Sequence, residues 1–410
     1  MGAPRRFLNL IVDNPCRGTK SLRCIDLNRQ KLFDTAAPAL RPRRGSPPES
    51  VAGDDHHHHH QKTEKRARRT GLKLWPLSLP RASIDFEAAG TVLQWSFDCF
   101  PLAGRKVLCA DQSGRSLLFD ADTRHVAAMP DLNGYKMLPV SIFAPSADAA
   151  GGGSLFVMES VPQLEKGRRR QFEALVYREL TNTWECQLLP SLPFVRDPEC
   201  YRDRSGKSGG PRIITSYGVV NNGSSICISV HGAGTYCLDT AAKPQAWSTA
   251  AEWSTTPLPF QGKFEYVPEL RLWFGLSAQA DGRRLTAVDL SDTGSPPRVV
   301  GAWDEIERPQ GWAEIQEPQL VSMGAGRFCV ARFFHAWVRR ADWVETWLRT
   351  GCLAHGLVEC YFTLVTGVDV VVHATCTSGT GDGKGELGII THRSRSHLSY
   401  GTDGNIITVF

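Results

Sequence analysis

The sequence predicts an all-β fold, a β-propeller of about six blades. Three observations predict it. A short apolar strand ending in an acidic or polar residue recurs along the chain, a glycine-containing turn precedes it in most copies, and a large aromatic residue often follows. The sharpest copy is Ser224–Trp253, which we read as one complete four-stranded unit. There Ile226, Ile228 and Val230 alternate with Cys227 and Ser229 at the two-residue period of a strand. His231–Gly234 supplies glycines for a tight turn, Thr235–Asp239 returns, Lys243-Pro244 marks the next turn, and Trp247 anchors a further strand.

The marker strand occurs as Leu22–Asp26, Leu117–Asp120, Leu175–Arg178, Tyr236–Asp239, Leu285–Asp289 and Val365–Asp369. Its last residues are 94, 58, 61, 50 and 80 positions apart. The first gap holds Pro38–Pro80, which has no strand period, and the last holds Ala336–Glu359, which has a helical one. With both set aside, the spacing is 50 to 61 residues throughout. That phase, with its glycine turns and late Trp, matches a kelch-like blade, whereas the strands of a single large β-sandwich have no reason to keep it.

Taken in order, Phe7–Val12 reads as a strand and Leu22–Phe33 carries the first marker, together a partial blade. Residues 38–80 then bring Arg41-Pro-Arg-Arg, Ser46-Pro-Pro and five consecutive histidines, and read as a disordered basic insert outside the propeller. Within it Lys65, Arg66, Arg68 and Arg69 fit a short nuclear-import signal. Blades resume at Trp95–Met129 and continue through Val140–Pro190, Ser224–Trp253 and Phe264–Trp303, and Gly311–Phe334 opens the last. Inside that blade, residues 336–359 predict a helical insertion, because Trp343, Val344, Trp347 and Leu348 recur at four-residue spacing before Gly351. Phe362–Thr375, Leu387–His392 and Asn405–Phe410 return to strand pattern. Residues 1–37 and 81–410 are thus expected to form one domain. A ring must join its ends, so Phe7–Val12 and Asn405–Phe410 are expected in the same blade.

The net charge of +5 does not imply a nucleic-acid partner, because residues 41–70 alone carry +4 and leave the folded body near neutral. None of the 12 cysteines forms a Cys-x-x-Cys pair, and Cys24, Cys109, Cys227 and Cys237 fall in strands as reduced, small apolar side chains. Only six residues separate Arg6 from Asp13, too few for the apolar core of a signal peptide, and no apolar run is long enough to span a bilayer. The expected location is cytoplasmic or nuclear, away from membranes.

Gly383–Gly388 has dinucleotide-binding spacing but is followed by the strand Gly388–Thr391 rather than a helix, and Gly206–Gly210 has nucleophile-elbow spacing in a polar loop. The carboxylates Asp26, Asp120, Asp239 and Asp289 stand in register from copy to copy, which favours a part in each blade's turn over one active site. No catalytic, cofactor-binding or metal residue is therefore nominated, and no cofactor is expected. The function expected is a non-enzymatic protein-interaction scaffold with a protein partner. The alternative is an enzyme using the central channel of the propeller.

Arg5–Val12, Ser21–Leu27, Lys106–Asp111, Lys263–Leu270 and Leu272–Ser277 resemble segments of a large grass-plant family of unknown function with kelch-like β-propeller character. The resemblance covers nearly the whole chain and transfers no catalytic residue. It is similar in style to the propeller part of plant F-box and kelch proteins, which implies an adaptor-like role, although the helical F-box segment is missing before the strands. Ala336–Glu359 departs from the family, which passes almost directly from a Phe-Phe strand end into the Thr-Gly-Val strand.

Overall fold

Every strand that runs second in its sheet is apolar on both faces, and this pattern sets the architecture. A computed structural model describes residues 5–34, 74–87, 97–145, 153–162, 171–196, 212–242, 245–249, 253, 257–279, 282–292, 295–304, 312–339, 357–373, 386–400 and 404–410. Among them there is no α-helix, and the strands form antiparallel meanders.

The N-terminal strands are β1 (Phe7–Asn14) and β2 (Thr19–Asp26), then β3 (Leu74–Pro76) and β4 (Ala82–Glu87). Next come β5 (Phe97–Pro101), β6 (Lys106–Asp111), β7 (Ser116–Asp120) and β8 (His125–Ala128), which form one four-stranded sheet. Another holds β9 (Pro139–Pro145), β10 (Gly153–Glu159), β11 (Phe172–Arg178) and β12 (Thr183–Leu188). An eight-stranded sheet consists of two meanders. These are β13 (Ile214–Val220), β14 (Ser225–Val230), β15 (Gly234–Asp239) and β16 (Trp247–Thr249), and β17 (Gln261–Val267), β18 (Leu272–Gln279), β19 (Gly282–Asp289) and β20 (Arg298–Asp304). Their first strands, β13 and β17, pair in parallel. After β21 (Ala313–Glu314) come β22 (Gln319–Gly324), β23 (Arg327–Arg339), β24 (Leu357–His373) and β25 (Glu386–Ser399). The last strand, β26 (Asn405–Val409), pairs with β1, giving the sheet β26-β1-β2-β4. The two ends of the chain therefore meet in one sheet, as ring closure requires.

Alternate residues of each second strand feed two different cores. In β1, Leu8, Leu10 and Val12 enter a cluster with Cys329, Ala331 and Phe333 of β23, while Ile11 enters another with Val107 and Cys109 of β6. Leu108 and Ala110 of β6 meet Leu155 and Val157 of β10, and Phe156 and Met158 of β10 meet Ile226, Ile228 and Val230 of β14. Cys227 of β14 packs with Trp273 of β18, whose Phe274 and Leu276 reach Phe328 and Val330 of β23. The clusters thus link the sheets in a closed cycle that returns to β1, an arrangement compatible with a propeller. Burial on both faces explains why these strands read as continuous apolar runs.

Four expectations need correction. The Ser224–Trp253 unit holds only three of its strands, because the first, β13, precedes it and Trp253 packs in the core shared with the next meander. Residues 74–80 belong to the fold rather than to a disordered insert: β3 pairs in parallel with β25, Leu77 is buried, and Gln30 and Ser78 exchange two hydrogen bonds at 2.9 and 2.7 Å. Leu77 and Leu79 alternate at strand period and pack in the cluster of Leu8 and Leu10, but the flanking basic run obscures that short pattern. The rest of 38–73, with Lys65, Arg66, Arg68 and Arg69, lies outside the described residues.

The expected helix over 336–359 is replaced at both ends by strand, since Ala336 faces Cys360 and Arg339 faces Leu357 across the β23–β24 hairpin. Trp343, Val344, Trp347 and Leu348 lie outside the described residues, so the helical spacing falls where the hairpin is not described. Lastly, Cys227 and Cys237 are joined in a disulfide instead of being reduced. The hairpin turn at His231–Ala233 places them directly opposite on β14 and β15, within bonding reach.

Candidate functional site

The carboxylates that mark the repeat are occupied in turns. Asp26 Oδ1 accepts the Asn28 N–H at 2.9 Å, Asp120 Oδ1 that of Asp122 at 2.9 Å, Asp239 Oδ1 that of Ala241 at 2.8 Å, and Asp289 Oδ1 that of Ser291 at 3.1 Å. Each closes the two-residues-on loop that Asp favours at a strand end. Arg6 holds the Asp26 carboxyl down at about 2, helped by the Asn28 backbone N–H. Hydrogen bonding from Ser291 likewise lowers Asp289. The sixth marker differs, because β24 runs on past it. Asp369 lies inside the strand, 3.3 Å from Arg327 Nε and 3.2 Å from His392 Nε2, in ion-pair range but off the hydrogen-bond direction.

His392 is no general base. Its Nδ1 accepts the Asp34 N–H at 3.2 Å, and its side chain is buried. On the first strands of the joined meanders, Tyr217 stands opposite Lys263, which pairs with Glu265 at 2.6 Å. Burial, then the charge of Glu265, pushes the Tyr217 hydroxyl up to about 12, so it stays protonated at neutral pH. A shallow, open cavity of about 460 Å³ lies over β6 to β8, lined by Lys106, Leu118, Asp120, Thr123, His125 and Ala127. In it Lys106 lies near the Asp120 carboxylate, whose Oδ1 is held by the turn N–H of Asp122. Among the described residues no group of three or more His, Cys, Asp or Glu could hold a metal ion.

The feature the sequence did not disclose lies between β8 and β9. Lys136 Nζ meets Glu173 Oε1 at 2.5 Å, with the two side chains 1% and 0% exposed. The other carboxylate oxygen accepts the Asn133 N–H at 2.8 Å, Asn133 Nδ2 at 3.2 Å and the Cys186 Sγ–H at 3.1 Å, while Lys136 also donates to the Gly134 carbonyl at 2.8 Å. Burial, then the hydrogen bond to Glu173, pushes the Cys186 thiol up to about 12. Every charge in the cluster has a partner, the condition under which a buried ion pair is tolerated. The separation of 37 positions between Lys136 and Glu173 is why no local pattern revealed it.

This buried anchor fixes a segment whose neighbouring side chains face solvent. Tyr135, Met137 and Leu138 are exposed, Leu138 to 67%. Leu138 also adopts φ 47°, a left-handed conformation that a branched side chain rarely takes. The Leu138 carbonyl accepts the Ser160 N–H at 3.3 Å, and the Ser160 carbonyl accepts the Ile214 N–H at 2.8 Å, which brings exposed Ile213 to the same end of the molecule. Exposed apolar side chains thus stand just before β9 and β13, on segments joined by backbone hydrogen bonds through Ser160.

By its sheets the protein is an all-β chain of four-stranded meanders of the kind a propeller uses. It belongs to a family described as a protein of unknown function, DUF1668, whose model matches residues 5–397. That agrees with the expected family of unknown function; the match says nothing of plant origin or of kelch or F-box kinship. No curated protein matches the chain. Among solved structures it is similar to Kuenenia stuttgartiensis hydrazine synthase, at 12% identity over 70% of each chain with a TM-score of 0.29. It is also similar to a complex of KlAtg21 with the coiled-coil of AgAtg16, at 10% identity over 58% of this chain and 65% of that one with a TM-score of 0.34. An auxiliary nutrient binding protein from Bacteroides thetaiotaomicron matches at 8% identity over 70% of this chain and 54% of that one, with a TM-score of 0.30. At these TM-scores none of them bears on the function. No helix among the described residues is long and apolar enough to cross a membrane.

Proposed function

We propose that the chain is a kelch-like β-propeller of about six blades acting as a non-enzymatic protein-interaction scaffold, adaptor-like and cytoplasmic or nuclear. The observation that carries this reading is the patch of Tyr135, Met137, Leu138 and Ile213. Exposed apolar side chains held in a fixed, strained backbone lose little freedom on docking, and such preorganisation raises affinity for a protein surface. The carboxylates repeated in register, Asp26, Asp120, Asp239 and Asp289, are engaged in turns, and Glu173 in a buried pair. The alternative is an enzyme using the central channel; the ionisable group of Tyr217, Lys263 and Glu265 does not favour it, because the raised Tyr217 is the opposite of what a base or nucleophile needs.

Proximity labelling in cells with the full chain and with a Met137→Ser, Leu138→Gly double variant tests the reading. Proteins labelled around the parent and absent around the variant are expected, and ubiquitin-ligase subunits among them would support the adaptor-like version. An identical labelled set, or a small-molecule turnover lost on Lys263→Ala and Glu265→Ala, would overturn the scaffold.

A further inference from the structure

We propose that Cys99 and Cys109 form a dithiol site that low-molecular-weight disulfides of the glutathione type convert to an intramolecular disulfide. The two stand directly opposite each other on β5 and β6, with Sγ atoms 3.8 Å apart. Directly opposed residues of an antiparallel pair have Cα atoms about 4.5 or 5.5 Å apart, a spacing that disulfides bridge, so side-chain rotation alone closes the remaining gap.

The same chain shows the closed form of this arrangement. Cys227 and Cys237 are also opposed across a hairpin, and each pair has a sequence separation of 10 centred on a turn glycine in the left-handed region, Gly104 at φ 67° and Gly232 at φ 69°. Cys99 is half-buried and Cys109 buried. Burial raises the Cys109 thiol well above its ordinary range, so Cys99 is the sulfur that meets the oxidant.

The exchange proceeds in two displacements. The Cys99 thiolate attacks one sulfur of the small disulfide, the S–S bond breaks, and one thiolate leaves. Cys109 then gives up its proton and attacks Cys99 Sγ in the mixed disulfide, expelling the second thiolate. Two protein thiols are oxidised to one disulfide and one small disulfide is reduced to two thiols. The link would tie the first two strands of this sheet beside Phe97, whose carbonyl accepts Lys20 Nζ at 2.8 Å from the closing sheet.

The test is incubation of the full chain with glutathione disulfide, followed by non-reducing tryptic mapping. Arg105 and Lys106 separate the two cysteines into different peptides. The expected result is a linked Cys99–Cys109 peptide pair in the parent, glutathione retained on Cys99 in Cys109→Ser or Cys109→Ala, and an unmodified Cys109 in Cys99→Ser. The proposal is overturned if the exposed Cys16 is glutathionylated while the parent yields no Cys99–Cys109 link, or if Cys99 stays unmodified in both folded Cys109 variants.

Discussion

The buried pair of Lys136 and Glu173 is the residue on which the proposed docking surface depends. Glu173→Gln leaves the ammonium without a countercharge in a fully buried site, and should cost about 3–5 kcal/mol in denaturant unfolding. Replacing both partners, Lys136→Met with Glu173→Leu, should recover most of that loss, because no charge is then stranded. Near-equal losses in the two variants would place the stabilisation elsewhere. Leu138→Gly should stabilise the fold by roughly 1 kcal/mol, since glycine takes the left-handed conformation without the side-chain penalty.

Two carboxylates give opposite pH signatures. Asp26 is held down to about 2 in the folded chain, so its contribution is present above the unfolded carboxyl range and is lost as pH falls from about 4 to about 2. Burial, opposed by Lys20, pushes Asp98 up to about 6, so the folded state favours its protonated form and stability declines as pH rises from about 4 to about 6. Asp98→Asn should flatten that decline and raise stability at pH 7 by on the order of 2 kcal/mol. Urea midpoints taken from pH 4 to pH 7 check it, and an unchanged slope contradicts it. At this scale the turn carboxylates were legible in the sequence, because a turn signal is local. The buried pair was not, because it joins distant positions.

Among the elements, hairpins with a glycine turn were the most legible, and β14–β15 follows the alternation of its apolar residues. β13 was missed because Ser216, Tyr217 and Gly218 interrupt its apolar pattern, and Gly218 is needed where a Cβ would meet the Phe264 ring at 2.5 Å. The β23–β24 hairpin was misread as helix at its ends. Its period is two: Phe334 and Ala336 are buried, whereas Trp337 is 59% exposed. Phe334, edge-on to Trp312, which itself stacks on Phe362 at 4.1 Å, should cost about 3–5 kcal/mol when changed to Ala. Trp337→Ser should cost less than about 0.5 kcal/mol. Replacing 340–356 by Asn-Gly should leave stability unchanged, because Arg339 and Leu357 already stand opposite each other. Removing 336–359 whole should lower it through the loss of Ala336 from the Phe334, Cys360 and Phe362 cluster. Thermal unfolding of the four variants orders these effects.

Across the whole molecule, the repeat phase and the meeting of the chain ends were legible, because every blade solves the same packing problem. Which faces touch was not, since adjacent sheets exchange side chains that lie far apart in sequence. If Lys65, Arg66 and Arg68 serve nuclear import, their replacement by Ala moves a fluorescent fusion out of nuclei, and an unchanged distribution removes that part of the proposal. Closure of the ring is the central claim, and it rests on reciprocal bonds between Asn9 and Phe410, at 2.9 and 3.0 Å, together with the Val409 N–H donated to Gln319 Oε1 of the adjacent sheet at 2.6 Å. Native-state amide exchange measures it most directly. The account predicts that the amides of Asn9, Val409 and Phe410 exchange only through global unfolding, with the same free energy as those of β18. Exchange of Val409 and Phe410 at the rate of a fraying terminus, while β18 stays protected, would contradict it.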